Sequence, residues 1–130
     1  MLKKTIKYTD YNDVEREEDF YFHLSKAELI EMEYGEHGSF VDYIDKITRE
    51  QDNHKLVQLW KKIVLDAYGV KSEDGKRFIK NQEVRDSFAQ TEAYTELFME
   101  LAGDAKKAAD FINGILPKDI REEAKKALNS

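Results

Sequence analysis

The sequence contains no cysteine. That absence excludes disulfide staples, thiolate nucleophiles and cysteine-ligated zinc. One proline, Pro117, and six glycines in 130 residues leave few kinks and few hinges, a composition suited to regular elements joined by short turns. No apolar run approaches the roughly 20 residues a bilayer-spanning helix needs. The opening Met1-Leu2-Lys3-Lys4-Thr5-Ile6-Lys7 is basic, but no apolar stretch follows of the kind a secretory signal requires. The chain is therefore expected to stay in the cytosol, with no membrane partner.

What is present is charge on an apolar frame. Apolar residues make up 41% and charged residues 37%, with a formal net charge of −6. Apolar residues recur along the whole length, which argues for a folded core and against disorder. The negative balance repels phosphate backbones at long range, so nucleic acid is not the expected partner without a local basic patch.

Thr5, Lys7 and Thr9 alternate with Ile6 and Tyr8, the period of a strand with one buried face. Asp10-Tyr11-Asn12-Asp13 supplies residues that tolerate left-handed turn conformations. Val14 to Phe22 returns as a second strand, with Val14, Arg16, Glu18, Phe20 and Phe22 on one side. Residues 3–22 thus read as a β-hairpin. Ser25-Lys26-Ala27-Glu28 has the spacing of a helix capping box, and Ala27, Leu29, Ile30 and Met32 form a stripe to about Tyr34. Gly35 and Gly38 bracket a break. Ser39 opens a second helix carrying Phe40, Val41, Ile44 and Ile47.

Asp52 or Asn53 caps the strongest helical stripe, Leu56, Leu59, Trp60, Ile63, Val64 and Ala67, with Gly69 placed to end it. A polar stretch from Val70 to Lys80 follows, with a turn at Ser72-Glu73-Asp74-Gly75 and a short extended piece at Arg77-Phe78-Ile79. Further helices carry Val84 and Phe88, then Ala93, Leu97 and Leu101 behind Thr91, then Ala108, Phe111, Ile112 and Ile115 behind Asp104. The fold expected is α+β, an N-terminal β-hairpin followed by a mainly α-helical bundle of about five to six helices. Residues 1–117 are expected to form a single domain. Residues 118–130, with a thin stripe of Ile120, Ala124, Ala127 and Leu128, read as a C-terminal helix that is frayed or dependent on a partner.

No constellation points to catalysis. His23, His37 and His54 lack the spacing of a helical metal site. Gly-x-Ser-x-Gly and glycine-rich phosphate loops are missing. The expectation is a protein that is not an enzyme and holds neither cofactor nor metal. Lys71, Lys76, Arg77 and Lys80 cluster around one turn, but without an aromatic platform they make a poor nucleic-acid surface. Two other features suit protein binding. Glu92, Glu96 and Glu100, continued by Asp104, put carboxylates along one helix face. Seven Phe, seven Tyr and one Trp exceed what a core of this size needs. Those of the hairpin, Tyr8, Tyr11, Phe20, Tyr21 and Phe22, could leave an exposed remainder that offers large contact area at little entropic cost.

Several segments carry a more specific signal. They include Tyr8-Thr9-Asp10-Tyr11-Asn12, the run Glu18-Asp19-Phe20-Tyr21-Phe22-His23-Leu24-Ser25-Lys26-Ala27-Glu28, and Asp74-Gly75-Lys76-Arg77-Phe78-Ile79-Lys80. Gln90-Thr91-Glu92-Ala93-Tyr94 and Phe111-Ile112-Asn113-Gly114-Ile115-Leu116-Pro117 belong with them. Together they resemble a family of small proteins of tailed bacteriophages and prophages of Gram-positive bacteria, similar to tail assembly chaperones. The resemblance spans most of residues 3–117. It implies a binder that keeps the tape-measure protein soluble in the cytoplasm of the bacterial host until tail-tube subunits displace it. The edge strand of the hairpin offers a route to a homo-oligomer. Two other roles fit a phage protein of this size: a structural tail or connector subunit of the virion, or a small regulatory or host-interaction protein using the basic cluster.

Overall fold

The computed structural model describes residues 1–31, 40–117 and 120. Its first elements are the expected hairpin. β1 (Leu2–Thr9) and β2 (Glu15–Phe22) pair antiparallel from Leu2↔Phe22 to Thr9↔Glu15. Asp10 builds the turn: its Oδ1 accepts the amides of Asn12 at 2.8 Å and Val14 at 3.0 Å. Asp13 takes the left-handed conformation, φ 61°, which a short polar side chain tolerates better than a bulky one.

The hairpin does not stand alone. After α3 (Asn53–Ala67) the chain enters β3 (Tyr68–Lys71), which pairs with the end of β2 at Tyr21↔Gly69 and Phe22↔Tyr68. β4 (Phe78–Ile79) pairs in turn with β3, completing a four-stranded sheet in the order β1-β2-β3-β4. In the polar stretch from Val70 to Lys80 the expected short extended piece is β4, while Val70 and Lys71, where no strand was expected, belong to β3. Gly69 also has a different job from the expected helix stop. α3 ends at Ala67, because Tyr68 is already extended at ψ 141°. Gly69 instead lies under the Phe78 ring, where a Cβ would sit 2.7 Å from a ring carbon.

Among the described residues six helices accompany this sheet: α1 (Lys26–Glu31), α2 (Phe40–Arg49), α3, α4 (Gln82–Ala89), α5 (Glu92–Gly103) and α6 (Ala105–Ile115). Their starts follow from local chemistry. Ser25 and Glu28 form the reciprocal capping box, Ser25 N donating to Glu28 Oε1 at 3.0 Å and Glu28 N to Ser25 Oγ at 3.1 Å. Asp52, Asn81, Thr91 and Asp104 cap α3, α4, α5 and α6 through their side-chain oxygens. Met32, Tyr34, Gly35, His37, Gly38 and the Ser39 cap lie outside the described residues, as do the side chains of Phe40 and Val41. So does the helix expected over 118–130, apart from Ile120, which packs on the core.

One continuous cluster of buried side chains joins sheet and helices, from Ile6 and Phe22 through Ile44, Trp60, Ile63 and Phe88 to Leu97, Phe111 and Ile115. Its centre is aromatic. Tyr68 stacks on Phe88 with centroids 4.2 Å apart, and Phe22 meets the rings of Phe88 at 5.7 Å and Phe111 at 5.3 Å. Most of the aromatic excess is thus spent holding β2 and β3 against α4 and α6. α5 lies along β1 and completes the cover of that sheet face.

A candidate protein-docking groove

α5 is two-faced, and the spacing of its side chains decides what each face meets. Ala93, Leu97 and Leu101 recur every four residues and are buried. To one side stand Glu92, Glu96 and Glu100, to the other Tyr94, Phe98 and Ala102. The acidic row turns toward the hairpin. Glu92 accepts a hydrogen bond from the Tyr11 hydroxyl at 3.0 Å, and Glu100 pairs with Lys4 of β1 at 3.1 Å and with Lys107 at 3.6 Å. Glu96 borders a shallow cleft of about 180 Å³ with Lys4 and Lys7. The two ends of the row are thus ligated within the chain. Their partners are Tyr11, Lys4 and Lys107, none of them in the basic cluster around residue 75.

The hairpin aromatics separate by strand periodicity. Phe22 is fully buried, so it is no part of an exposed remainder of the hairpin aromatics. Phe20 is half-buried and packs on Tyr8, Tyr68 and Phe88. Tyr8 is also half-buried, and its hydroxyl donates to Glu18, a hydrogen bond that raises the phenol above its ordinary value. Tyr21, on the opposite side of β2, lies beneath the Lys71 ammonium at 4.1 Å. Tyr11 at the turn is 73% exposed, and its bond to Glu92 likewise raises its pKa. Tyr11 is the exposed ring of the hairpin, and Tyr21 is half-buried, as Tyr8 and Phe20 are. The basic cluster is dispersed in the same way. Lys71 covers Tyr21, while Lys80 turns inward onto Glu28 at 2.6 Å and the carbonyls of His23 and Asp66 at 2.7 and 2.9 Å.

The other face of α5 opens on an apolar concavity, a groove of about 570 Å³. Ile47 of α2 with Leu56, Val57 and Trp60 of α3 make one wall. Phe98, Leu101 and Ala102 of α5 line it too, and Ala105, Ala108 and Ala109 of α6 close it from the far side. Alanines there let a partner backbone come close, while the Trp60 wall supplies contact area. Val57 at its edge is 46% exposed, and Met99 on α5 is 64% exposed. Apolar surface gathered into a concavity marks interaction sites, whereas single exposed apolar side chains do not.

Periodicity assigned Leu56, Trp60 and Leu101 to the core, and they do border it. It gave no sign that two helical layers part between them. The signal present was the small-residue series Ala102, Gly103, Ala105, Ala108 and Ala109, too small to fill the space between α3 and α6.

The family model of phage tail assembly chaperones matches residues 1–129. The chain belongs to this family. No curated protein and no solved structure matches it. Membership implies protein partners, which makes a concave apolar surface the first place to look for one. Among the described residues no group of His, Asp and Glu could hold a metal ion, and no helix is long and apolar enough to cross a membrane.

Proposed function

We propose that this protein binds the tape-measure protein and holds it soluble during tail morphogenesis, without catalysis, in the cytoplasm of the bacterial host. The groove between α3, α5 and α6 supports this reading most directly. A long helical partner exposes apolar residues at i, i+3 or i+4, and i+7, and a groove with one aromatic wall and one alanine wall accepts such a face. Each Leu or Phe buried there contributes roughly 1.5–3 kcal/mol. Two or three anchors, less the ordering cost of association, give a reversible complex rather than a permanent one. That suits a partner which tail-tube subunits must later displace. Tyr11 and the exposed edge of Glu96 lie on the hairpin side of α5 and would form a second, polar contact, while Tyr21 would offer a separate ring on the opposite face of the sheet. Tyr8, Phe20 and Phe22 would act by holding that side in shape.

The test is co-expression with the tape-measure protein. The wild-type chain should raise the soluble yield of the partner and co-purify with it. Ala102→Glu and Val57→Glu put a carboxylate into the groove at exposed positions. They should abolish co-purification while the melting temperature of the chain alone moves by no more than a few degrees. Undiminished capture by both variants would sink the groove assignment. Failure of the wild-type chain to capture the partner would sink the tape-measure reading itself.

A further inference from the structure

The two faces of the sheet carry different side chains. The even-numbered residues meet the helices: Phe20, Phe22 and Tyr68 all lie against Phe88 of α4. The odd-numbered residues turn to the opposite face, where Lys3, Thr5, Lys7, Asp19 and Lys71 are all exposed. On that face the carboxylates are answered. Glu17 pairs with Lys7 at 3.7 Å, and Asp19 accepts the Thr5 hydroxyl at 2.6 Å. Lys3 and Lys71 make no ion pair among the described residues, and neither do Lys76 and Arg77 in the turn between β3 and β4.

Two aromatic rings lie among these cations. Tyr21 stands directly opposite Lys3 on β1 and opposite Gly69 on β3, and the Lys71 ammonium is 4.1 Å from the centre of its ring. Phe78 pairs with Lys71, and its ring reaches back over Gly69, where a Cβ would sit 2.7 Å from a ring carbon. Glycine at 69 therefore lets the Phe78 ring lie across β3, on the strand next to Tyr21. Neighbouring strands are about 4.8 Å apart, which sets the two rings side by side. Both are half-buried rather than enclosed.

The basic cluster wanted an aromatic platform, and Tyr21 with Phe78 provides one. We propose that this sheet face binds single-stranded nucleic acid. Its bases stack on Tyr21 and Phe78, and its phosphates meet Lys3 and Lys71, with Lys76 and Arg77 extending the positive edge at the β3–β4 turn. Aromatic rings on an open sheet flanked by cations suit unpaired bases, because every base has a stacking face and every linkage a phosphate. The Lys71 ammonium does not close the site. At an exposed position its contact with Tyr21 is weaker than a base stack, and once displaced it is left beside the incoming strand. The net charge of −6 does not forbid the contact, since exposed charges further off than about 8 Å are largely screened at physiological salt. An acidic peptide would satisfy the cations but leave both rings without a stacking partner. The site lies across the sheet from α4 and does not depend on what the groove holds.

Fluorescence anisotropy of the full chain with labelled oligouridylate, oligothymidylate and a DNA duplex tests this at low salt. The wild type should bind both single strands and hold the duplex, whose bases are already stacked, about tenfold more weakly or worse. The logarithm of the affinity should fall with that of salt at a slope of about −2 to −3, as for three or four phosphates on a single strand. Lys3→Ala with Lys71→Ala, both at exposed positions, should make that slope shallower by roughly 1.4. Tyr21→Leu and Phe78→Leu keep apolar bulk and should each weaken binding about fivefold or more with the slope unchanged. Circular dichroism melts establish that each variant is folded. A wild type that binds neither single strand overturns the proposal. So do a duplex bound as tightly as the single strands, or folded lysine and tyrosine variants that bind like the wild type. Polyglutamate that displaces the oligonucleotide as well as unlabelled oligonucleotide does also overturns it, being the result a surface for acidic proteins would give.

Discussion

Asp10 shows how much one side chain can settle locally. Its carboxylate accepts two backbone amides across the hairpin turn and meets Arg16 Nε at 2.5 Å. The bond to Arg16, then those amides, hold its carboxyl below the ordinary aspartate value. A lowered folded-state pKa means a contribution that is complete above the unfolded value and lost as pH falls through the folded one. Asp10→Asn should therefore flatten the acid limb of the stability–pH curve, and the wild-type and variant curves should converge in strong acid. Denaturant melts from neutral to acid pH measure this, and parallel curves would show that the turn does not depend on that charge. The neighbouring aromatic trio was legible in part. Period two assigned Phe20 and Phe22 to one side and Tyr21 to the other, and the structure keeps that division. How deeply Phe22 sinks depends on Phe88 and Phe111, which lie far along the chain.

Helix starts read well because capping is local chemistry: a side-chain oxygen answers amides two or three residues ahead. Asp104 accepts from Lys106 N at 2.9 Å and Lys107 N at 3.2 Å. Asp104→Ala should cost about 1 kcal/mol and lower the melting temperature by a few degrees, while Asp104→Asn keeps most of the stability. Thermal melts of the two variants check it, and equal losses would assign the effect to charge rather than capping. Strands read less well at this scale. β3 and β4 are short and carry little alternation, so β3 takes its strand character from the pairing β2 offers at Tyr21 and Phe22, and β4 takes its own from β3. The spacing of Glu92, Glu96 and Glu100 was plain, but two of their partners, Lys4 and Tyr11, stand on β1 and the turn beyond it, which no local rule connects to α5.

At the scale of the whole molecule, Lys80 ties four segments together. Its ammonium bonds Glu28 of α1 and the carbonyls of His23 after β2 and Asp66 of α3. Burial lowers its pKa, and Glu28 beside it opposes that shift. Asp66, itself buried, accepts from Arg85 of α4 at 2.6 Å and from Lys62 at 2.9 Å. Lys80→Met should lose about 2–3 kcal/mol, since it leaves Glu28 and two carbonyls without this donor. Adding Glu28→Gln should recover part of the loss by removing the uncompensated carboxylate. Denaturant melts of the single and double variants read both steps, and simple additivity would mean the two side chains do not act on each other.

By itself the sequence determined the α+β class, the hairpin and its turn, the helix caps at Ser25, Thr91 and Asp104, and the membership in a phage tail assembly chaperone family that its motifs already resembled. Those features rest on contacts a few residues apart or on motif identity. Only the tertiary structure decided that the hairpin continues into a four-stranded sheet, that the acidic row is answered from β1 and Tyr11, and that the basic cluster is split between Tyr21 and Glu28. The same is true of the groove, which exists because the alanines of α6 do not fill the space against Trp60. Each of these depends on residues tens of positions apart meeting in space, and periodicity along one element carries no information about which neighbour arrives.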